Sequence, residues 1–121
     1  MIARPGKWSF RVLARTLRFV ARFARAVPVK PRAGRAADIT MELLDQAYEL
    51  TLKSAVRAIT TVLPWMRERR WGRIIAVTSS SVREPIPGLV LSNIMRPGLM
   101  GYLKTLSAEV ASDGILVNSV C

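Results

Sequence analysis

Over residues 40–69, Leu44, Tyr48, Thr51, Ala55, Ile59, Val62 and Met66 recur at three- and four-residue spacing, the period of an α-helix. Thr40 stands ahead of them as an N-cap, and Pro64 is placed to kink the last turns. Trp71 and Gly72 then turn the chain into residues 73–77, a run rich in β-branched side chains with the look of a buried strand. The polar stretch Thr78, Ser79, Ser80 and Ser81 closes it. Pro85, Pro87 and Gly88 mark a loop, and a second helix is predicted from about residue 92 to 112. Asp113 and Gly114 stop that helix, and residues 115–120 form another apolar strand. The order helix–strand–helix–strand, with strands of the buried type, predicts an α/β fold: a parallel sheet joined by a right-handed crossover helix.

A different pattern occupies the start of the chain. Arg11, Arg15, Arg18, Arg22 and Arg25 are spaced four, three, four and three, which holds them within an arc of about 80° on a helix over residues 8–26. Trp8, Val12, Leu13, Phe19, Val20 and Phe23 lie on the other faces. Charge sharpens the division. The 121 residues carry 19 Lys and Arg against 8 Asp and Glu, a net charge of +11. Ten of those cations and none of the acids fall in residues 1–35, so residues 36–121 are near neutral. We therefore divide the chain into a basic amphipathic segment, 1–35, and a partial α/β domain, 36–121. Three readings of the first segment stay open. One is a helix that lies on an anionic membrane surface or directs the chain to an organelle. Another is a solvated face. The third is a frame or start artefact, because 19 of the 35 residues are Arg, Ala, Pro or Gly.

Composition removes several function classes. With no histidine there is no His-dependent triad and no imidazole metal site, and the single Cys121 excludes a disulfide framework and a cysteine metal cluster. No metal site is expected. The longest uncharged run, residues 85–95, is too short to span a bilayer, which needs about 20 residues. A cytoplasmic location follows as the expectation, with a membrane surface or an organelle as the alternative. The basic charge comes without zinc-finger spacing or interleaved aromatics, so no sequence-specific nucleic-acid partner is expected. The glycines nowhere form a Gly-x-Gly-x-x-Gly or Walker loop. In a parallel sheet, chemistry collects at the carboxyl ends of the strands, here residues 78–81 and Asn118 with Ser119. Serines placed there serve more often as turn and cap residues than as nucleophiles.

Residues 71–80 (WGRIIAVTSS), Leu91-Ser-Asn with residues 101–111 (GYLKTLSAEVA), and residues 113–120 (DGILVNSV) resemble the second half of a short-chain dehydrogenase/reductase. Within that family the similarity is greatest to 3-oxoacyl-acyl-carrier-protein reductases. It runs in register over about residues 33–121. The resemblance implies a partial Rossmann-type domain, an NAD or NADP cofactor, and hydride transfer at a small-molecule carbonyl or alcohol. It also implies a homo-oligomer built through the helices 41–69 and 91–111.

Carried over residue by residue, the family's catalytic serine falls on Ser79. Its tyrosine, thirteen residues later, falls on Ser92, its lysine on Arg96, and its helix asparagine on Thr51. The resemblance thus implies Ser79, Ser92 and Arg96 as the catalytic set, with Arg96, Thr78 and Asn118 left to meet the cofactor. A serine hydroxyl is a far weaker acid than a phenol, and an arginine does not titrate usefully, so a catalytically impaired enzyme is expected. Tyr102 is expected to pack in the core, and Thr51 inside its helix. Pro97 and Gly98 stand where the family's helix is under way. The family's nucleotide loop would lie in a first half that is missing here. Its Asn-Asn-Ala-Gly strand end would sit at residues 26–29, which read Ala-Val-Pro-Val. These departures suggest a chain cut at both ends. The other function class is a non-catalytic interaction protein that dimerises through the two helices, where Leu44, Tyr48, Leu52, Ile59, Val62, Leu99, Tyr102, Leu103 and Leu106 are expected to lack cover within one chain.

Overall fold

The computed structural model describes residues 34–121 of the chain, within a compact unit running from Pro31 to Cys121. The amphipathic helix expected over residues 8–26 lies outside the described residues. A short 3₁₀ turn, Ala36–Asp38, leads into α1, Met41–Ala47. Thr40 caps α1 as its position suggests, its hydroxyl oxygen accepting from the Leu43 N–H at 3.3 Å. The Glu42 carboxyl in the first turn is held below the usual carboxylate range by its own backbone N–H and by the Thr40 hydroxyl.

The long helix does not continue as one α-helix. A π-helical stretch, Tyr48–Lys53, separates α1 from α2, Ser54–Glu68. The extra residue in such a turn rotates what precedes it by roughly one residue's step, about 100°. That rotation takes Tyr48 out of the apolar stripe and leaves it 43% exposed, while Ile59 beyond it is buried. Residue spacing alone carries no sign of the inserted turn.

α2 ends in a Schellman turn, with Arg70 N–H donating to Arg67 O and Trp71 N–H to Met66 O. Arg70 takes the left-handed position at φ 49°, where glycine is usual. β1, Gly72–Val77, follows at once, then a 3₁₀ turn, Ser80–Val82, and α3, Val90–Val110. The latter runs through Pro97 without a break in the helix. A last 3₁₀ turn, Ala111–Asp113, and Gly114 at φ 73° deliver the chain to β2, Ile115–Val120. β2 pairs parallel to β1 from Gly72↔Ile115 to Val77↔Val120.

The core lies between α2, α3 and one face of this two-stranded sheet. Ile59, Ile74, Leu99, Leu103, Leu106, Val110 and Ile115 form one buried cluster. The expectation that Ile59, Leu99, Leu103 and Leu106 lack cover within one chain is therefore corrected: the sheet covers them. Tyr102 and Leu52 pack half-buried against the same cluster, as core residues do. The uncovered apolar surface lies on the opposite face of the sheet. There Ile75 is 67%, Val77 74% and Val120 53% exposed. Parallel sheets are ordinarily covered on both faces.

Candidate functional site

The carboxyl end of β1 gathers most of the polar residues that the sequence pointed to. Ser79 leaves the strand in extended conformation and caps the 3₁₀ turn, its hydroxyl oxygen accepting from the Ser81 N–H at 3.2 Å. That turn curls Ser81 inward until it is 3% exposed. Its hydroxyl lies 3.3 Å from the Ser92 hydroxyl in the first turn of α3. One helical turn further along α3, Arg96 donates from Nη1 to the carbonyl oxygen of Val77 at 3.1 Å. Val77, Ser79, Ser81, Ser92 and Arg96 thus outline a ring at the strand end, in which hydrogen bonds link Ser79 to Ser81, Ser81 to Ser92, and Arg96 to Val77.

Ser92 meets Ser81, and Ser79 enters the ring through the Ser81 backbone. Ser81 is the residue that sequence reasoning missed. Its signal was there in the serine run, but only the curl of the turn selects which serine faces α3. Asn93 was also missed. Its side-chain amide donates to Ile86 O at 2.9 Å and its amide oxygen accepts from Ile86 N–H at 3.1 Å. The side chain thereby holds the loop that closes over the start of α3.

Thr78 occupies itself with the neighbouring strand. Its backbone N–H donates to Val120 O at 2.7 Å and its hydroxyl to the same oxygen at 3.1 Å. Asn118 sits in the middle of β2 opposite Ile75, on the exposed face of the sheet, and the fold does not bring it into the ring. Thr51 lies half-buried within the π-helical stretch. Among the described residues no cluster of His, Cys, Asp or Glu could hold a metal ion. No helix among them is long and apolar enough to cross a membrane.

A cavity of about 400 Å³ opens beside this site, lined by Gly34, Arg35, Asp38, Ile39, Leu43, Gly88 and Leu91. Two of its lining residues are tied together, the Gly34 N–H donating to Gly88 O at 2.8 Å, and Gly34 pairs with Leu89 as a short parallel bridge. Leu91 is the residue before Ser92, so the cavity and the ring share the first turn of α3.

For NAD or NADP the fit is partial. Arg96 and the serine hydroxyls are suitable donors to ribose oxygens. The pyrophosphate needs a cradle of backbone N–H groups, and no glycine loop of that kind stands anywhere in the 121 residues.

A family model described as Enoyl-(Acyl carrier protein) reductase matches residues 15–121. The chain is 32% identical over 90 residues to Dehydrogenase/reductase SDR family member 4 of Homo sapiens, covering 74% of this chain and 32% of that protein. It is 37% identical over 112 residues to the Monensin polyketide synthase putative ketoacyl reductase of Streptomyces virginiae, covering 84% of this chain and 42% of that protein. The chain thus spans about a third of the length of the curated relatives it matches. In fold it resembles the acetoin dehydrogenase from Enterobacter cloacae, with a TM-score of 0.74 at 21% identity, over 88% of this chain and 45% of that one.

Proposed function

The chain belongs to the short-chain dehydrogenase/reductase family, and on that premise we propose that it is an oxidoreductase-type module with an altered catalytic set, which does not turn over NAD(P)H by itself. The observation that carries this reading is the pairing of Ser92 with Ser81 at 3.3 Å, at the place where the family's tyrosine would stand. Ser79, Ser92 and Arg96 occupy the family's serine, tyrosine and lysine positions at the carboxyl end of β1. Ser79 keeps a hydroxyl able to hydrogen-bond a substrate carbonyl.

Proton transfer is the step that suffers. A phenol beside a cation ionises within reach of neutral pH, whereas a serine hydroxyl does not. A guanidinium is a permanent cation, so an arginine in the lysine's place can orient but cannot pass a proton on. A bound NAD or NADP would supply the hydride, held at its ribose by Arg96 and the serines. Thr78 and Asn118 belong to this reading only through the family pattern, since Thr78 is engaged with Val120 and Asn118 faces away. The substrate class is a small-molecule carbonyl or alcohol.

Assembly with a second copy is part of the same reading. Met41 at 64%, Tyr48 at 43% and Ile94 at 47% exposure leave apolar surface on α1, the π-helical stretch and α3. Sedimentation at micromolar concentration is expected to show a dimer or larger species, and a strictly monomeric folded chain would remove this element.

The activity itself is tested by mixing the purified 121-residue chain with NADH or NADPH and 3-oxoacyl or simple ketone substrates. No oxidation is expected. Saturable turnover that disappears in Ser79→Ala would overturn the proposal.

A further inference from the structure

Strands turn alternate side chains to opposite faces. Ile74, Ala76, Ile115 and Val117 face the core, which leaves Arg73, Ile75 and Val77 of β1 and Leu116, Asn118 and Val120 of β2 on the other side. The register sets these six in three rows: Arg73 beside Leu116, Ile75 beside Asn118, and Val77 beside Val120. All six are exposed, four are aliphatic and none is acidic. The Arg73 guanidinium is drawn to the rim. Its Nη1 donates to Gly72 O at 2.7 Å and to Gly114 O at 3.3 Å, and the group lies 5.3 Å from the centre of the Trp71 ring. Charge is thus confined to the end of the face where the strands begin. Asn118, in the middle row, has a side-chain amide with no hydrogen-bond partner among the described residues.

These positions choose among occupants. A polyanion would meet one guanidinium and four aliphatic side chains, and a wholly apolar element would bury the Asn118 amide without a partner. A second copy answers both difficulties, because it brings aliphatic side chains to the aliphatic ones and an amide to the amide. We propose that this face packs on the same face of a second copy of the chain, about a two-fold axis that crosses the strands at the middle row. Ile75 then faces its own counterpart, and so does Asn118. Each amide has both donors and an acceptor, so the two pair reciprocally across the axis. The strands of the two copies run antiparallel, which keeps the two Arg73 guanidinium groups at opposite ends. An axis along the strands would bring both to one end, where like charges repel. Two strands of six residues make a face of about 20 Å by 10 Å. That is small against the roughly 800 Å² per partner of a standard interface, so the dimer is reversible and depends on concentration. The surface is separate from the helical one of the functional reading and needs neither cofactor nor turnover.

The experiment is sedimentation equilibrium of the full chain from micromolar to millimolar concentration. Ile75→Lys and Val120→Lys change exposed positions, and each is expected to weaken self-association about tenfold or more by setting an ammonium in the contact. Asn118→Asp brings two carboxylates together at the axis and should weaken it by a similar factor. Each variant is also read in an Ile94→Lys background, which removes the helical surface on α3, so that one contact does not mask the other. Thermal unfolding checks that every variant folds. Unchanged association of folded Ile75→Lys and Val120→Lys chains would overturn the proposal, as would an Ile94→Lys chain that stays monomeric at millimolar concentration. Loss of association confined to Ile94→Lys removes the sheet contact and retains the helical one, and loss confined to the sheet variants does the reverse. The axis has its own test, in a Cys121→Ser background. A short bifunctional thiol reagent is expected to join two copies of Ile75→Cys and not two copies of Leu116→Cys. The opposite pattern, or no joining of either, would overturn the two-fold arrangement.

Discussion

A Cβ atom on Gly114 would lie 2.2 Å from the carbonyl oxygen of Arg70. Around this close approach Arg67, Arg70 and Arg73 all bond to the segment at the start of β2. Arg67 pairs with Asp113 at 2.9 Å, Arg70 donates to Ser112 O at 3.1 Å, and Arg73 donates to Gly114 O at 3.3 Å. Gly114 also stands at φ 73°, in the left-handed region. Gly114→Ala therefore meets both a steric and a conformational penalty, and we expect it to destabilise the fold by about 3 kcal/mol. The shift of the urea midpoint at constant m-value measures it.

The Arg67–Asp113 pair is the long-range ion pair among the described residues, yet it is expected to contribute little. Its side chains are 50% and 31% exposed, so water screens the attraction. A double-mutant cycle over Arg67→Ala and Asp113→Ala should return a coupling of about 0.5 kcal/mol that shrinks as salt is added. A coupling that is large and indifferent to salt would contradict this account.

Asn93 has more at stake because both of its bonds are to one backbone residue of a part-buried loop. Asn93→Ala should cost about 2 kcal/mol, since it strips partners from the Ile86 N–H and C=O together. Asn93→Asp keeps the acceptor and loses the donor, and is expected to fall between the two. Hydrogen exchange at the Ile86 amide should accelerate in the alanine variant before the core amides change.

Tyr102 gives the fold an alkaline sensitivity. Burial, and secondarily the negative charge of Glu109, push its phenol above the ordinary value of 10.0. The folded state thus favours the protonated phenol. Its contribution is fully present below about pH 10 and is lost as the pH rises through the folded value. Stability is expected to fall over that alkaline range, and Tyr102→Phe should flatten the decline. Chemical denaturation of both proteins across the range, with identical slopes, would remove Tyr102 as the cause.

Much of the fold was legible as one-dimensional pattern. Thr40 as a cap, Gly72 as the entry to a strand, and Asp113 with Gly114 as a stop are local decisions, set by hydrogen bonds and dihedral angles within a few residues. The serine and arginine positions of the site were reached by counting from the Gly-Arg-Ile-Ile strand, again along the chain. The π-helical stretch was not legible, because the same apolar spacing fits an uninterrupted helix. Within it Leu52 approaches α3 near Gly98, an arrangement that spacing does not encode.

Sequence by itself determined the family and the α/β order, and it supplied the expectation that Ser92 and Arg96 stand at the family's tyrosine and lysine positions. These are matters of residue identity and local period. Tertiary structure alone decided that Ser81 touches Ser92, that Asn118 turns away, and that Leu99, Leu103 and Leu106 are covered while Ile75 and Val77 are not. Each of those outcomes depends on which face of one element meets which face of another. A strand alternates its faces every residue and a turn rotates them, so a single residue's shift moves a side chain from the core to water.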